Sequence, residues 1–121
     1  MSFKAIEPPE EVHGITKTGI PGVYLQRPIV GYNENGTHER YGNPRSVVQF
    51  AGHEEIGVYR PGLTLLGQLQ LCVNELQRFD AEYPEDEYTL SSLVFIEKVI
   101  ELQNLRREDR IRRGVLGKQV R

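Results

Sequence analysis

The chain has no tryptophan, one methionine and one cysteine in 121 residues. Aromatic packing therefore falls to six tyrosines and four phenylalanines. A lone Cys72 excludes an internal disulfide and any cysteine-based zinc cluster. It sits in the apolar run "LLGQLQLCVNEL", with no histidine nearby in sequence to activate it. A buried, inert thiol is expected, because free cysteine packs as a small hydrophobe. Long apolar runs are missing too. The longest are a few residues, well short of the ~20 that span a bilayer. The start, "MSFKAIEPPEEVHG", has no apolar segment after positive charge, so no secretory signal is expected. A soluble intracellular protein is the resulting expectation.

The usual chemical signatures are also missing. The glycines never form G-x-G-x-x-G, and "GITKTGIPG" lacks the G-K-[ST] ending of a phosphate loop. Ser46, Ser91 and Ser92 sit in no nucleophile-elbow context. "HEEIG" at 53–57 places Gly57 where a zinc-protease helix needs its second histidine. Asp80, Glu82, Glu85, Asp86 and Glu87 lack the alternating ligands and central glycine of a calcium loop. His38 and His53 could approach each other if their loops shared one end of a meander, beside Glu39, Glu54 and Glu55. Solvated turn residues are the simpler reading. No catalytic residue, metal or cofactor is expected, and the chain does not read as an enzyme.

What is present is an ordered change of pattern. Residues 1–22 hold three prolines and three glycines with no apolar period, which suggests an extended N-terminal arm partly ordered by packing. Residues 23–113 read as one α+β domain, and 114–121 as a C-terminal loop and arm. Within the domain, residues 23–60 are rich in Val, Ile and Tyr. Asn35-Gly36 signals a hairpin with a type I′ turn. Gly42-Asn43-Pro44 marks a second turn, and "GHEE" a third. A small antiparallel β-meander of three to four strands follows, with Tyr24, Ile29, Val47, Phe50, Ile56 and Val58 as its candidate core.

From Pro61, expected near a helix start, Leu63, Leu66, Leu69, Val73, Leu76 and Phe79 recur at three and four, one apolar stripe. Tyr83-Pro84 ends that helix. "PEDEY" supplies acids for the first turn of a second helix, where they meet the positive end of its dipole. From Leu90 to Ile100, seven of eleven residues are apolar, too many for a helix covered on one face. The fold expected is thus a meander followed by an antiparallel two-helix hairpin, with apolar surface left for self-association.

The end of the chain, "LRREDRIRRGVLGKQVR", is where charge concentrates. From Arg106 onward six arginines and one lysine face two acids, giving +5 in a chain of net charge −2, so the remainder carries −7. Glu108 can pair Arg112, and Asp109 can pair Arg113, at i,i+4. Arg106, Arg110 and Arg113 fall on one helical face, where forked guanidiniums suit phosphate. Cations at a helix C-terminus are also the ordinary complement of its dipole. Gly114 is placed to end the helix, and Gly117 leaves the next loop open to close approach.

These residues carry a resemblance. Residues 47–117 resemble the phage anti-Thoeris sponge family, whose helical hairpin is shared with the anti-CBASS sponges. "EIGV" precedes "GLT" at Gly62-Leu63-Thr64, and "SLVFIEKVIELQNLRREDRIRRGVLG" resembles the family's second helix with its R-x-x-x-R-x-x-R-G-V-x-G ending. Arg106, Arg110, Arg113, Gly114, Val115 and Gly117 match that ending position by position. Leu102, Leu116 and Lys98 depart from the family's usual Trp, Glu and Glu. The resemblance implies a non-enzymatic homo-oligomer, acting in the host cytoplasm, that sequesters a cyclic nucleotide immune signal. That signal would be glycocyclic ADP-ribose, with cyclic di- and trinucleotides as further ligands. Arg106, Arg110 and Arg113 would contact phosphates, with Gly114 and Gly117 letting the loop close. Two other readings stay open: a protein-binding subunit or adaptor, and a nucleic-acid-binding regulator. Overall acidity and the missing recognition motif weigh against the latter and against long nucleic acid as a partner.

Overall fold

The computed structural model describes residues 11–43, 46–55 and 58–118. Its architecture is α+β. A four-stranded antiparallel sheet is followed by two helices, and two separate two-stranded ribbons are inserted in the β half. The sheet runs in the order β1 (Glu11–Val12), β2 (Ile15–Lys17), β3 (Val23–Gln26), β6 (Ser46–Gln49). One ribbon pairs β4 (Ile29–Tyr32) with β5 (Glu39–Tyr41), the other β7 (Gly52–Glu55) with β8 (Val58–Arg60). The helices are α1 (Leu65–Glu82) and α2 (Glu87–Arg112).

From Glu11 onward, the described part of the N-terminal arm enters the sheet. Its β1–β2 hairpin turns at His13 and Gly14, both with positive φ, and Ile15, Thr16 and Lys17 pair with Gln26, Leu25 and Tyr24. Arg27 grips the Glu11 carboxylate with two donors, one of them Nε at 2.9 Å. That pairing holds the Arg27 guanidinium above its ordinary pKa.

The 33–38 hairpin forms where expected, with a different turn. Asn33 starts it, accepting from the Gly36 amide at 3.0 Å and using Oδ1 to accept from the Thr37 amide at 2.9 Å. Only Gly36 has positive φ there, whereas a type I′ turn needs it at two residues. The Asn33 side chain substitutes for that geometry by satisfying the loop directly. The turn expected at "GHEE" is instead strand β7, a register-shifted ribbon partner of β8.

The meander core is thin. Tyr24 and Phe50 meet edge to face, 6.1 Å between centroids, but Ile29 and Val47 are exposed. Ile29 lies in a ribbon outside the main sheet, and Val47 lies on a strand covered on one side only. Ile56 and the Val58 side chain lie outside the described residues.

Between sheet and hairpin stands a short joint. Phe50 and Leu63 form a parallel bridge, with Leu63 N–H donating to Gln49 at 2.9 Å and Ala51 N–H to Leu63 at 2.8 Å. The backbones approach so closely that a Cβ at Gly62 would lie 2.5 Å from the Gln49 carbonyl oxygen. This bridge also moves the helix start away from Pro61. Thr64 is the N-cap, its Oγ1 accepting from the Gly67 amide at 3.0 Å, one of the four orphan donors of a helix N-terminus. Asp86 caps α2 in the same way, accepting from the Tyr88 amide at 3.1 Å and the Thr89 hydroxyl at 2.9 Å.

The helices pack on each other as a hairpin, and Leu66, Leu69, Val73 and Leu76 of α1 and Leu93, Ile96 and Ile100 of α2 are the apolar residues that are not exposed. Val73, 6% exposed, is the one buried hydrophobic residue among those described. Cys72, expected inside, is exposed. It lies one residue before Val73, so the α1 stripe turns Val73 inward and Cys72 out.

Candidate functional site

The end of α2 is organised by a single buried guanidinium. Arg110 is 9% exposed, and its Nη2 donates to the carbonyls of Val115 at 3.1 Å and Lys118 at 2.8 Å. The loop can fold back on it because Gly114 adopts φ 69°, the left-handed conformation that ends helices. The Val115 amide then returns to the Arg110 carbonyl at 2.9 Å. Gly117, with φ 78°, continues the curl. The loop 114–118 is thus tied to the helix through both the backbone and the side chain of Arg110.

The curled loop brings Leu116 into the wall of a cleft of about 630 Å³. Phe50, Ala51 and Leu63 come from the joint, Leu65 and Leu66 from the first turn of α1, and Gln103, Arg106 and Arg107 from α2. The cleft therefore has an apolar floor with two guanidiniums at its edge. Among the described residues neither Arg106 nor Arg107 has an ion-pair partner. Thr64, the one hydroxyl-bearing residue among the described residues that line it, is occupied in capping α1. Buried Arg60 holds the backbone at Phe50, donating from Nε and Nη2 to the Phe50 carbonyl at 3.0 and 2.9 Å.

The three arginines expected to act on one face are held differently. Arg106 lines the cleft. Arg110 is turned into the loop. Arg113 is the C-cap residue and pairs with Asp109, Nε to Oδ2 at 3.4 Å. Arg112 pairs with Asp109 too, rather than with Glu108. Gly114 and Gly117 shape the loop that carries Leu116.

Arg107, Gln103 and the Phe50–Leu63 floor are absent from the sequence reading of the site. The helical part had a usable signal, since Gln103, Arg106 and Arg107 stand at i, i+3 and i+4 and share a face. The floor had none, because it depends on the long-range bridge at the joint.

His38 is held within the 33–38 hairpin. Its Nδ1 lies 3.0 Å from the Thr37 hydroxyl and 3.4 Å from Asn33 Nδ2. The His53 side chain lies outside the described residues. Among the described residues no cluster of His, Cys, Asp or Glu could hold a metal ion, and no helix is long and apolar enough to cross a membrane. A second cavity of about 330 Å³ adjoins Phe50 on its other side, walled by Ile15, Tyr24 and Val48 with Gln26 and Gln68. Searches of family models and of curated proteins return no match for this chain.

Proposed function

We propose that this chain is a non-enzymatic sponge. It captures a cyclic nucleotide immune signal in the cleft at the end of α2 and keeps it from its effector in the host cytoplasm. The observation that carries the reading is the pairing of an apolar floor with Arg106 and Arg107 in one cleft of about 630 Å³. A nucleotide has the same two-part chemistry: a flat base and ribose that favour apolar contact, and phosphates that accept forked hydrogen bonds from arginine. Glycocyclic ADP-ribose, with a pyrophosphate closed into a ring, is the first candidate ligand. Cyclic di- and trinucleotides are the next. The resemblance of "RGVLG" and its upstream arginines to the anti-Thoeris sponges supports the same ligand class.

Capture rather than turnover fits the walls of the cleft. Among the described residues that line it there is no carboxylate, histidine or thiol, the side chains that ordinarily supply general acid–base or nucleophilic catalysis. The sponge works as a homo-oligomer, which would cover the apolar surface the single chain exposes.

Isothermal titration with glycocyclic ADP-ribose tests the proposal, followed by denaturation and mass spectrometry of the released ligand. Saturable heat and an intact ligand are expected. No heat with glycocyclic ADP-ribose or with any cyclic oligonucleotide sinks the reading, as does recovery of a cleaved product.

A further inference from the structure

We infer that Gln103 is the specificity-determining residue of the cleft, and that its side-chain amide reads the hydrogen-bonding edge of an adenine base. The inference rests on the nucleotide reading above and adds which base is taken and by which side chain.

Gln103 lines the cleft together with Arg106 and Arg107. It is half-buried, whereas both arginines are exposed, so the amide is the best shielded of the three polar side chains that α2 brings there. Among the described residues it makes no hydrogen bond to its own chain. Two other amides are used internally: Gln49 donates to the Pro61 carbonyl at 2.8 Å, and Gln70 to the Asn74 side chain at 3.0 Å. An amide set beside apolar walls without a partner is costly to dry. Whatever fills the cleft must therefore satisfy Gln103 or leave it wet.

The chemistry of the amide says what satisfies it. It offers an acceptor oxygen and a donor nitrogen side by side. A phosphate presents acceptors alone and would leave the oxygen unmet, so it belongs with the arginines, which carry only donors. A base edge presents a donor and an acceptor together. Adenine does so with its 6-amino group beside a ring nitrogen, a pair that glutamine meets with two hydrogen bonds at once.

The spacing agrees. Gln103 precedes Arg106 and Arg107 by three and four residues, one turn on the same face and about 4.5–6 Å along the axis. In a nucleotide one ribose separates the base from the phosphate, a span of the same order. The apolar wall serves the flat side of the base. Phe50 lines the cleft, with Tyr24 edge to face against its ring and Arg60 holding its carbonyl. An aromatic ring fixed in this way stacks on any base. Stacking does not choose among bases, and Gln103 does.

Calorimetric titration with two ligands tests it: glycocyclic ADP-ribose, and its analogue in which purine, lacking the 6-amino group, replaces adenine. The parent chain should bind the adenine ligand roughly tenfold more tightly, the worth of one hydrogen bond in a partly buried site. Gln103→Leu keeps an apolar stem and loses the amide, so it should bind the two ligands alike. Gln103→Met should do the same and decides the matter if the leucine variant does not fold. Arg106→Ala should weaken both ligands equally and keep the preference. Equal binding of the two ligands by the parent chain overturns the inference. So does a preference that survives in the Gln103 variants, which would put the amide on a ribose hydroxyl or in water. In both cases the cleft still holds a nucleotide and the proposed function stands. Binding of neither ligand by the parent chain removes the proposed function, and this inference with it.

Discussion

Arg110 Nη2 donates to the Lys118 carbonyl at 2.8 Å, across eight residues and a change of chain direction. The guanidinium at the centre of the terminal motif therefore serves the loop. The loop it holds carries Leu116, which lines the cleft. Arg110→Ala should leave the Val115 and Lys118 carbonyls short of a donor, at about 1–3 kcal/mol, and free the loop. Faster amide exchange at Val115 and Lys118, with ligand affinity reduced by loss of the Leu116 wall, is the expected outcome. Exchange as slow as in the parent chain would show that the latch is not needed.

Arg106 and Arg107 stand in another position. Both are exposed at the edge of the cleft, so replacing either with alanine should barely change the melting temperature. Each should lower affinity for a phosphate-bearing ligand roughly 10- to 100-fold, the worth of a charge-assisted hydrogen bond of about 1.5–3 kcal/mol. Titration of the two variants beside Arg113→Ala separates cleft arginines from the one paired with Asp109, which should lose less.

Gly62→Ala should be among the most damaging small substitutions in the chain. A methyl group there has its nearest atoms in backbone, 2.5 Å from the Gln49 oxygen and 2.8 Å from the Ala51 nitrogen, and backbone cannot rotate aside. The bridge between Phe50 and Leu63 must open. We expect a loss of about 2–4 kcal/mol by urea denaturation, with loss of the cleft even where the helices survive by circular dichroism.

Thr64→Ala removes the cap of α1 and should cost about 1 kcal/mol, while Thr64→Ser should restore most of it, since the serine hydroxyl can accept the same Gly67 amide. Equal stability of the two variants would assign the cap no role.

The helical hairpin was legible because its signals are local. Leucines at three and four, Pro84, the acids of "PEDEY" and Gly114 each act within one or two turns, and both helices end within a few residues of where those signals stand. The β half was less so. "GHEE" has the composition of a turn, yet it is a strand, because pairing with β8 decides the matter and pairing is not written in four residues. Val47 and Ile29 have strand character without burial, since residue type does not say which face of a strand is covered. At the site, spacing alone put Arg106, Arg110 and Arg113 on one helical face. It could not show that the chain doubles back after Gly114 and takes Arg110 for its own carbonyls.

The joint at Phe50 and Leu63 has a consequence for the order in which this chain folds. Helix α1 meets α2 across a turn of four residues, and most strands pair with close neighbours in sequence. Such contacts close small loops and form early. The cleft needs more: the bridge must bring Phe50 to Leu63, and the tail must curl onto Arg110 to seat Leu116. Each element can exist before the cleft does. The cleft is therefore among the last features to appear during folding and among the first to vanish under mild denaturant, while the helical signal is still intact.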